Sequence, residues 1–130
     1  SIRFRGRTWL DGGVADSLPV KEAYRRGARK IMVIRSNPAS YRKQAYRFRH
    51  LFPYILRQYP AVARRLQRRH IEYNEALDFI RNPPDDCQVI ELCPPEAFSA
   101  GQFTTDMQIL DEAYAMGKAD GVNILSQNLI

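Results

Sequence analysis

The residues of this sequence best placed to do chemistry lie in the turn Asp11-Gly12-Gly13. Asp-Gly is a common turn dipeptide, because aspartate bonds its own backbone and glycine accepts a positive φ, so a plain structural turn is one interpretation. The turn also follows an extended segment and precedes a helix that starts at Pro19, which is the edge where α/β proteins place their ligand sites. Two consecutive glycines let another loop approach the aspartate backbone closely. This context favours a functional carboxylate at Asp11.

The residues around the turn resemble the second catalytic block of the patatin-like phospholipases. That block places its catalytic aspartate in an Asp-Gly-Gly or Asp-Gly-Ala turn, followed by a helix start that contains proline, then Gly-Ala and a hydrophobic strand. The matching positions here are 9–20, Ala23, Gly27-Ala28 and 31–34. The segments 72–74 and 112–117 are similar to the C-terminal part of bacterial members, so the resemblance covers most of the chain.

The resemblance implies a serine hydrolase that acts on lipid acyl esters through a Ser–Asp dyad. Asp11 would be the partner of the serine, as its base or as its orienting carboxylate, and Gly12 and Gly13 would belong to the active-site loop. Such a dyad needs a serine in G-x-S-x-G and a glycine-rich oxyanion loop, and neither motif occurs in this sequence. We therefore expect the nucleophile to lie before Ser1, and we expect this chain, as a fragment that contributes only Asp11, to be inactive alone.

Basic residues are concentrated in one interval of the sequence. Between Glu22 and Glu72 there are 14 lysines and arginines and no acid. The rest of the sequence contains the other six basic residues and all 14 acids. This asymmetry indicates either two halves that pair with each other or an electrostatic partner. The basic residues that would contact an anionic surface are Arg42, Lys43, Arg47, Arg49, Arg64, Arg65, Arg68 and Arg69.

Three interpretations of these residues stay open. In the first they form a solvated helical face whose arginine stems pack against the surface. In the second they bind an anionic membrane, and an apolar stripe from Phe48 to Tyr59 inserts into it. In the third they bind nucleic acid through interleaved aromatic residues, although no helix-turn-helix or RNA-binding signature accompanies the charge. A non-catalytic basic module that binds membrane or nucleic acid is thus the alternative to the hydrolase.

The elements that must position Asp11 follow from local patterns. We predict strands over 3–10, 30–34 (buried on both faces) and 88–93, and helices over 19–26, over 61–80 and from a capping box at Thr105 and Gln108 onward. A single domain, 1–130, would comprise a βαβ block with the catalytic aspartate over 1–36, a basic helical region over 41–81, and the last strand and helix over 88–118. The fold class is α/β. With the resemblance, it is the C-terminal part of a three-layer α/β/α fold, with few strands of mostly parallel sheet flanked by helices.

The composition is that of an ordinary globular protein, with 45% apolar and 26% charged residues. No apolar run approaches the roughly 18 residues that span a bilayer, and the start lacks the pattern of a signal peptide. We therefore expect a cytoplasmic protein, peripheral to the membrane if it binds lipid. Cys87 and Cys93 are not spaced as zinc ligands, and His50 and His70 do not complete a site, so we expect no metal and no cofactor.

Overall fold

The computed structural model describes residues 2–98, 100–101 and 103–126. The predicted domain, 1–130, also includes Ser1, Ser99, Gln102 and the last four residues, which lie outside the described residues. The elements are β1 (Ile2–Phe4), β2 (Arg7–Trp9), α1 (Val20–Arg25), β3 (Lys30–Ile34), α2 (Phe52–Ile55), α3 (Pro60–Arg81), β4 (Gln88–Leu92) and α4 (Met107–Ser126), with short 3₁₀ helices at Gly12–Val14 and Arg49–Leu51. The predicted α/β class is confirmed.

The described chain divides into two compact units. The first contains the residues up to Ile31 together with Arg42–Val89, and the second contains Met32–Tyr41 together with the described residues from Ile90 onward. The first unit therefore holds the Asp11 turn and the predicted basic helical region. No helix in the described part of the chain combines the length and the apolar character that crossing a bilayer requires.

The strand predicted over 3–10 is instead a hairpin. β1 pairs antiparallel with β2, so that Ile2 lies opposite Trp9. Arg5 and Gly6 both have positive φ, 50° and 74°, as a two-residue type I′ turn requires at its central positions. Arginine is an unusual residue at such a φ, and the turn was therefore missed. Among the described residues β2 pairs with β1 and β3 pairs with β4, so the βαβ block predicted over 1–36 does not form from β2 and β3.

Strands β3 and β4 run parallel. At their start the N–H of Gln88 donates to the C=O of Arg29, and at their end the N–H of Arg35 donates to the C=O of Leu92, each at 2.8 Å. This pattern is the regular ladder of a parallel pair. The expectation that β3 is buried on both faces was wrong, because exposure alternates along it and Ile34 is 76% exposed. The pair therefore has one open face in the described chain.

Helix α3 supplies most of the core of the first unit. It begins at Pro60, where proline suits the first turn, and it ends just before the Pro83-Pro84 pair, which confirms the helix predicted over 61–80. Helix α1 packs against α3, with ring centroids of Tyr24 and Phe79 5.5 Å apart. α1 stops at the predicted place, since Gly27 takes the left-handed φ of 101°. The buried apolar residues of this core are Val20, Ala63, Tyr73, Ala76, Leu77, Ile80 and Cys87.

Helix α4 begins one residue later than its predicted cap implies. Oδ1 of Asp106 accepts hydrogen bonds from the N–H groups of Gln108 at 2.9 Å and Ile109 at 3.4 Å. Asp106 is thus the N-cap, and the capping box predicted on Thr105 was wrong, because aspartate is at least as good a cap as threonine. Tyr114 on this helix is 73% exposed.

The two candidate caps are distinguished by single substitutions. We expect Asp106→Ala to destabilise the first turn of α4 by about 1 kcal/mol. The amides of Gln108 and Ile109 would then exchange about fivefold faster in hydrogen-exchange NMR. Thr105→Ala is the matched control and should leave these rates unchanged. If only the Thr105 variant exchanged faster, Thr105 would be the N-cap and the predicted capping box would be correct.

Candidate functional site

Asp11 caps the 3₁₀ helix that follows the β1–β2 hairpin. Its Oδ1 accepts a hydrogen bond from the N–H of Gly13 at 2.7 Å, and its C=O accepts one from the N–H of Val14 at 3.0 Å. A Cβ on Gly13 would lie 3.3 Å from Oδ1 of Asp11 and 3.7 Å from a guanidinium nitrogen of Arg69, whereas a Cβ on Gly12 would meet nothing within 4 Å. A side chain at Gly13 would therefore crowd the carboxylate of Asp11, whereas one at Gly12 would not.

A chain of hydrogen bonds ties the Asp11 loop to α3. The hydroxyl of Ser17 donates to the C=O of Gly13 at 2.8 Å, and Nε of Arg69 donates to Oγ of Ser17 at 3.1 Å. The same guanidinium donates to the hydroxyl of Tyr46 at 3.1 Å. Each link is within ordinary hydrogen-bond distance. The loop that carries Asp11 is thus held by a long helix and not only by its own turn.

An open groove of about 240 Å³ borders the carboxylate. The 3₁₀ helix and the residues next to it form one wall, and the first turns of α3 form the other. Apart from Asp11 and Arg65 the lining side chains are apolar. The lining residues are Leu10, Asp11, Gly12, Val14, Ala15, Ala61, Val62 and Arg65. The arrangement can hold an apolar group beside a carboxylate.

A family model described as a domain of unknown function (DUF6363) matches residues 59–129. The match covers more than half of the chain. The chain belongs to the DUF6363 family. The matched region contains α3, β4 and nearly all that follows, so Arg65 and Arg69 lie inside the DUF6363 region and Asp11 lies before it.

One curated relative is similar over almost the whole chain. The chain is 27% identical over 121 residues to the uncharacterized protein YjjU of Escherichia coli (strain K12). The alignment covers 92% of this chain and 34% of that protein, so the chain spans about a third of the relative's length. No solved structure matches the chain. The similarity to this relative therefore covers more of the chain than the DUF6363 region does.

Acids neutralise several of the basic residues that sequence analysis assigned to an anionic surface. Within the DUF6363 region Arg65 and Arg68 both approach Glu72, at 3.0 and 3.8 Å. Arg42, which precedes the region, forms an ion pair with Asp78. Arg42 and Asp78 are 36 positions apart, whereas Arg65 and Arg68 pair with an acid on their own helix. Arg65 and Arg68 nevertheless stay 56% and 67% exposed.

Two further members of that set are held within the first unit. The ammonium of Lys43 lies 5.1 Å from the ring centroid of Tyr73, and burial together with the neighbouring Arg69 lowers the pKa of Lys43. Asn74 fixes the same segment, since its side chain bonds both the N–H and the C=O of Lys43. Arg69 belongs to the hydrogen-bond chain at Ser17. Arg47, Arg49 and Arg64 form no ion pair with an acid among the residues described.

The association of Ser17 and Arg69 with the Asp11 loop is not visible in the sequence. The two residues are 52 positions apart, and no motif spacing relates a loop hydroxyl to an arginine on a later helix. The local sequence marks Ser17 only as a polar residue in the loop before Pro19. Arg69 was counted with the other arginines of α3, although its neighbours Arg65 and Arg68 turn toward Glu72.

The second unit contains a separate cavity of about 210 Å³ at the carboxyl ends of β3 and β4. Arg35 is buried beside it, with an ion pair to Glu91 and hydrogen bonds to the C=O groups of Pro38 and Tyr41. The thiol of Cys93 lies 3.6 Å from this guanidinium, and burial raises the pKa of the thiol. Burial thus disfavours the thiolate form of Cys93.

Proposed function

We propose that this chain is the C-terminal portion of a patatin-like serine hydrolase that cleaves lipid acyl esters, and that Asp11 is the carboxylate of its Ser–Asp dyad. The observation that carries the proposal is the placement of Asp11. The residue occupies a turn fixed by Gly13 and by the Ser17–Arg69 chain, and it faces a groove with apolar walls. A catalytic carboxylate needs this combination of fixed orientation and an adjoining apolar binding surface.

The two carboxylate oxygens of Asp11 have different roles in this proposal. Oδ1 accepts the N–H of Gly13, and in the described residues no hydrogen bond reaches Oδ2. We assign Oδ2 to the hydroxyl of a serine supplied by the sequence before Ser1. Asp11 takes the proton as the serine oxygen bonds to the ester carbonyl carbon, and it returns the proton to the alcohol that leaves. Water then attacks the acyl-serine by the same proton transfer, which releases the fatty acid.

The proposed function also implies a larger fold than this chain forms. In it, the parallel pair β3–β4 belongs to a larger sheet of a three-layer α/β/α domain, and the strands that precede this chain cover the open face at Ile34. A two-stranded parallel sheet is rare by itself, because parallel sheets are normally covered on both faces. The exposure of Ile34 supports this extension.

The test compares this chain with the longer protein encoded by its reading frame. We expect the longer protein to hydrolyse p-nitrophenyl butyrate and to be labelled covalently by a fluorophosphonate, which reacts with an activated serine. The 130-residue chain should do neither, because losing a nucleophile of this kind costs on the order of 10⁶ in turnover. Ester turnover by the 130-residue chain that Asp11→Asn abolishes would contradict the expected inactivity. If the longer protein is folded but is neither labelled nor active, the proposed hydrolase function is wrong.

A further inference from the structure

The segment around α2 presents an apolar surface bordered by arginines, here called the α2 patch. Its most exposed members are Tyr54, at 79%, and Ile55, at 70%. An isolated exposed apolar residue is ordinary, but a contiguous group marks an interaction surface. The α2 patch consists of Arg47, Phe48, Leu51, Tyr54, Ile55, Arg57 and Tyr59.

The opposite side of this segment is anchored in the first unit. The ring of Phe52 packs edge-on against Tyr46, with centroids 5.6 Å apart. The side chain of Gln67 on α3 donates to the C=O of Arg49 at 3.1 Å, and the guanidinium of Arg49 lies 3.2 Å from Nε2 of His70. These contacts fix the segment on α3. The exposed side chains of the α2 patch therefore point away from a defined support.

The charge of the α2 patch is not neutralised within the described chain. No acid occurs between Glu22 and Glu72, and α3 directs Arg65 and Arg68 to Glu72 rather than toward the patch. Of the residues described, none forms an ion pair with Arg47 or Arg57; Arg47 lies instead over the ring of Phe48, 5.5 Å from its centroid. The patch thus combines positive charge with apolar side chains.

We infer that the α2 patch docks on an anionic lipid surface. Tyr54 and Ile55 enter the boundary between headgroups and acyl chains, and Arg47 and Arg57 contact the anionic headgroups. Aromatic and aliphatic side chains flanked by arginine are the composition of interfacial segments. A single-stranded nucleic acid would stack on the aromatic members of the patch but would make no use of Ile55 and Leu51. The inference needs no serine nucleophile, so it stands or falls separately from the proposed hydrolase.

Vesicle binding tests the inference with the whole 130-residue chain. We expect the chain to sediment with vesicles of phosphatidylcholine that contain about 30 mol % phosphatidylglycerol, and not with pure phosphatidylcholine vesicles. Binding should fall in about 0.5 M NaCl, where screening weakens exposed charge interactions. Absence of binding to the anionic vesicles at low salt would overturn the inference.

Two pairs of double variants assign the binding to the patch. Arg47→Gln with Arg57→Gln should weaken binding about 25-fold, which is about fivefold for each arginine. Arg3→Gln with Lys118→Gln removes the same charge elsewhere and should have a much smaller effect. Tyr54→Ser with Ile55→Ser should weaken binding at least about tenfold, and the matched control is Tyr114→Ser with Val122→Ser on the exposed surface of α4. Circular dichroism checks that each variant folds. Equal losses of vesicle binding in the patch variants and the control variants would show that the binding does not depend on the α2 patch.

A fluorescent probe reports insertion directly. In a Trp9→Phe background, Tyr54→Trp places the only tryptophan in the patch. Its emission should shift to the blue with anionic vesicles, because the indole leaves water. If the chain binds short single-stranded DNA through Tyr54 and does not bind vesicles, the ligand of the α2 patch is a nucleic acid and not a lipid surface. Binding without a blue shift would limit the contact to charge and would overturn the insertion of Tyr54.

Discussion

Replacing Asp11 with asparagine in the proposed longer hydrolase is expected to lower kcat about 10⁴-fold while KM changes by less than about threefold. Asparagine keeps the acceptor that bonds the N–H of Gly13 and remains a good N-cap, so the turn is retained. It does not take a proton from a serine hydroxyl, so the loss falls on the chemical step. Steady-state kinetics with p-nitrophenyl butyrate measure both constants.

Asp16→Asn is the matched control for this experiment. Asp16 lies in the same loop and its Oδ1 accepts the N–H of Leu18 at 3.0 Å, a bond that asparagine preserves. We expect its kcat within about twofold of the unmodified enzyme. Thermal unfolding checks that both variants are folded. If Asp16→Asn lost as much activity as Asp11→Asn, the effect would belong to the loop and not to the Asp11 carboxylate.

Leu77→Ala is expected to lower the free energy of unfolding by about 2–5 kcal/mol. Leu77 is 0% exposed and lies on the α3 face that carries the core of the first unit. The substitution removes buried methyl groups and leaves a cavity that the close-packed helix cannot fill. Urea denaturation followed by far-UV circular dichroism measures the change.

Ile71→Ala on the same helix provides the comparison. Ile71 is 43% exposed, and its truncation removes a similar volume without opening a sealed cavity. We expect a cost of about 1 kcal/mol or less. Equal costs at the two positions would mean that α3 does not bury the face at Leu77.

Several elements were predictable because their signals are local. Pro19 and Gly27 bracket α1, and the helix predicted over 61–80 became α3 with one extra residue at each end. The strand at 30–34 has its predicted bounds. In each case the pattern lies within the element, and proline, glycine or apolar periodicity acts on the backbone of the same few residues.

Other features were not predictable, because they depend on close competition or on absent neighbours. The type I′ turn at Arg5-Gly6 puts arginine at a φ it rarely adopts, and Thr105 and Asp106 compete as caps of comparable strength. The continuous apolar run of β3 indicates burial on both faces, but burial requires an element on each face. The described chain leaves Ile34 exposed.

The sequence by itself determined the Asp11 turn, its neighbours through β3, and a basic interval without acids. Only the tertiary structure decided which basic residues have partners. Arg69 meets Ser17 and Arg42 meets Asp78 because the packing of α3 closes loops of tens of residues, and such closure leaves no mark on local spacing. Asp11 is thus placed by its own turn and held by a residue that its turn does not predict.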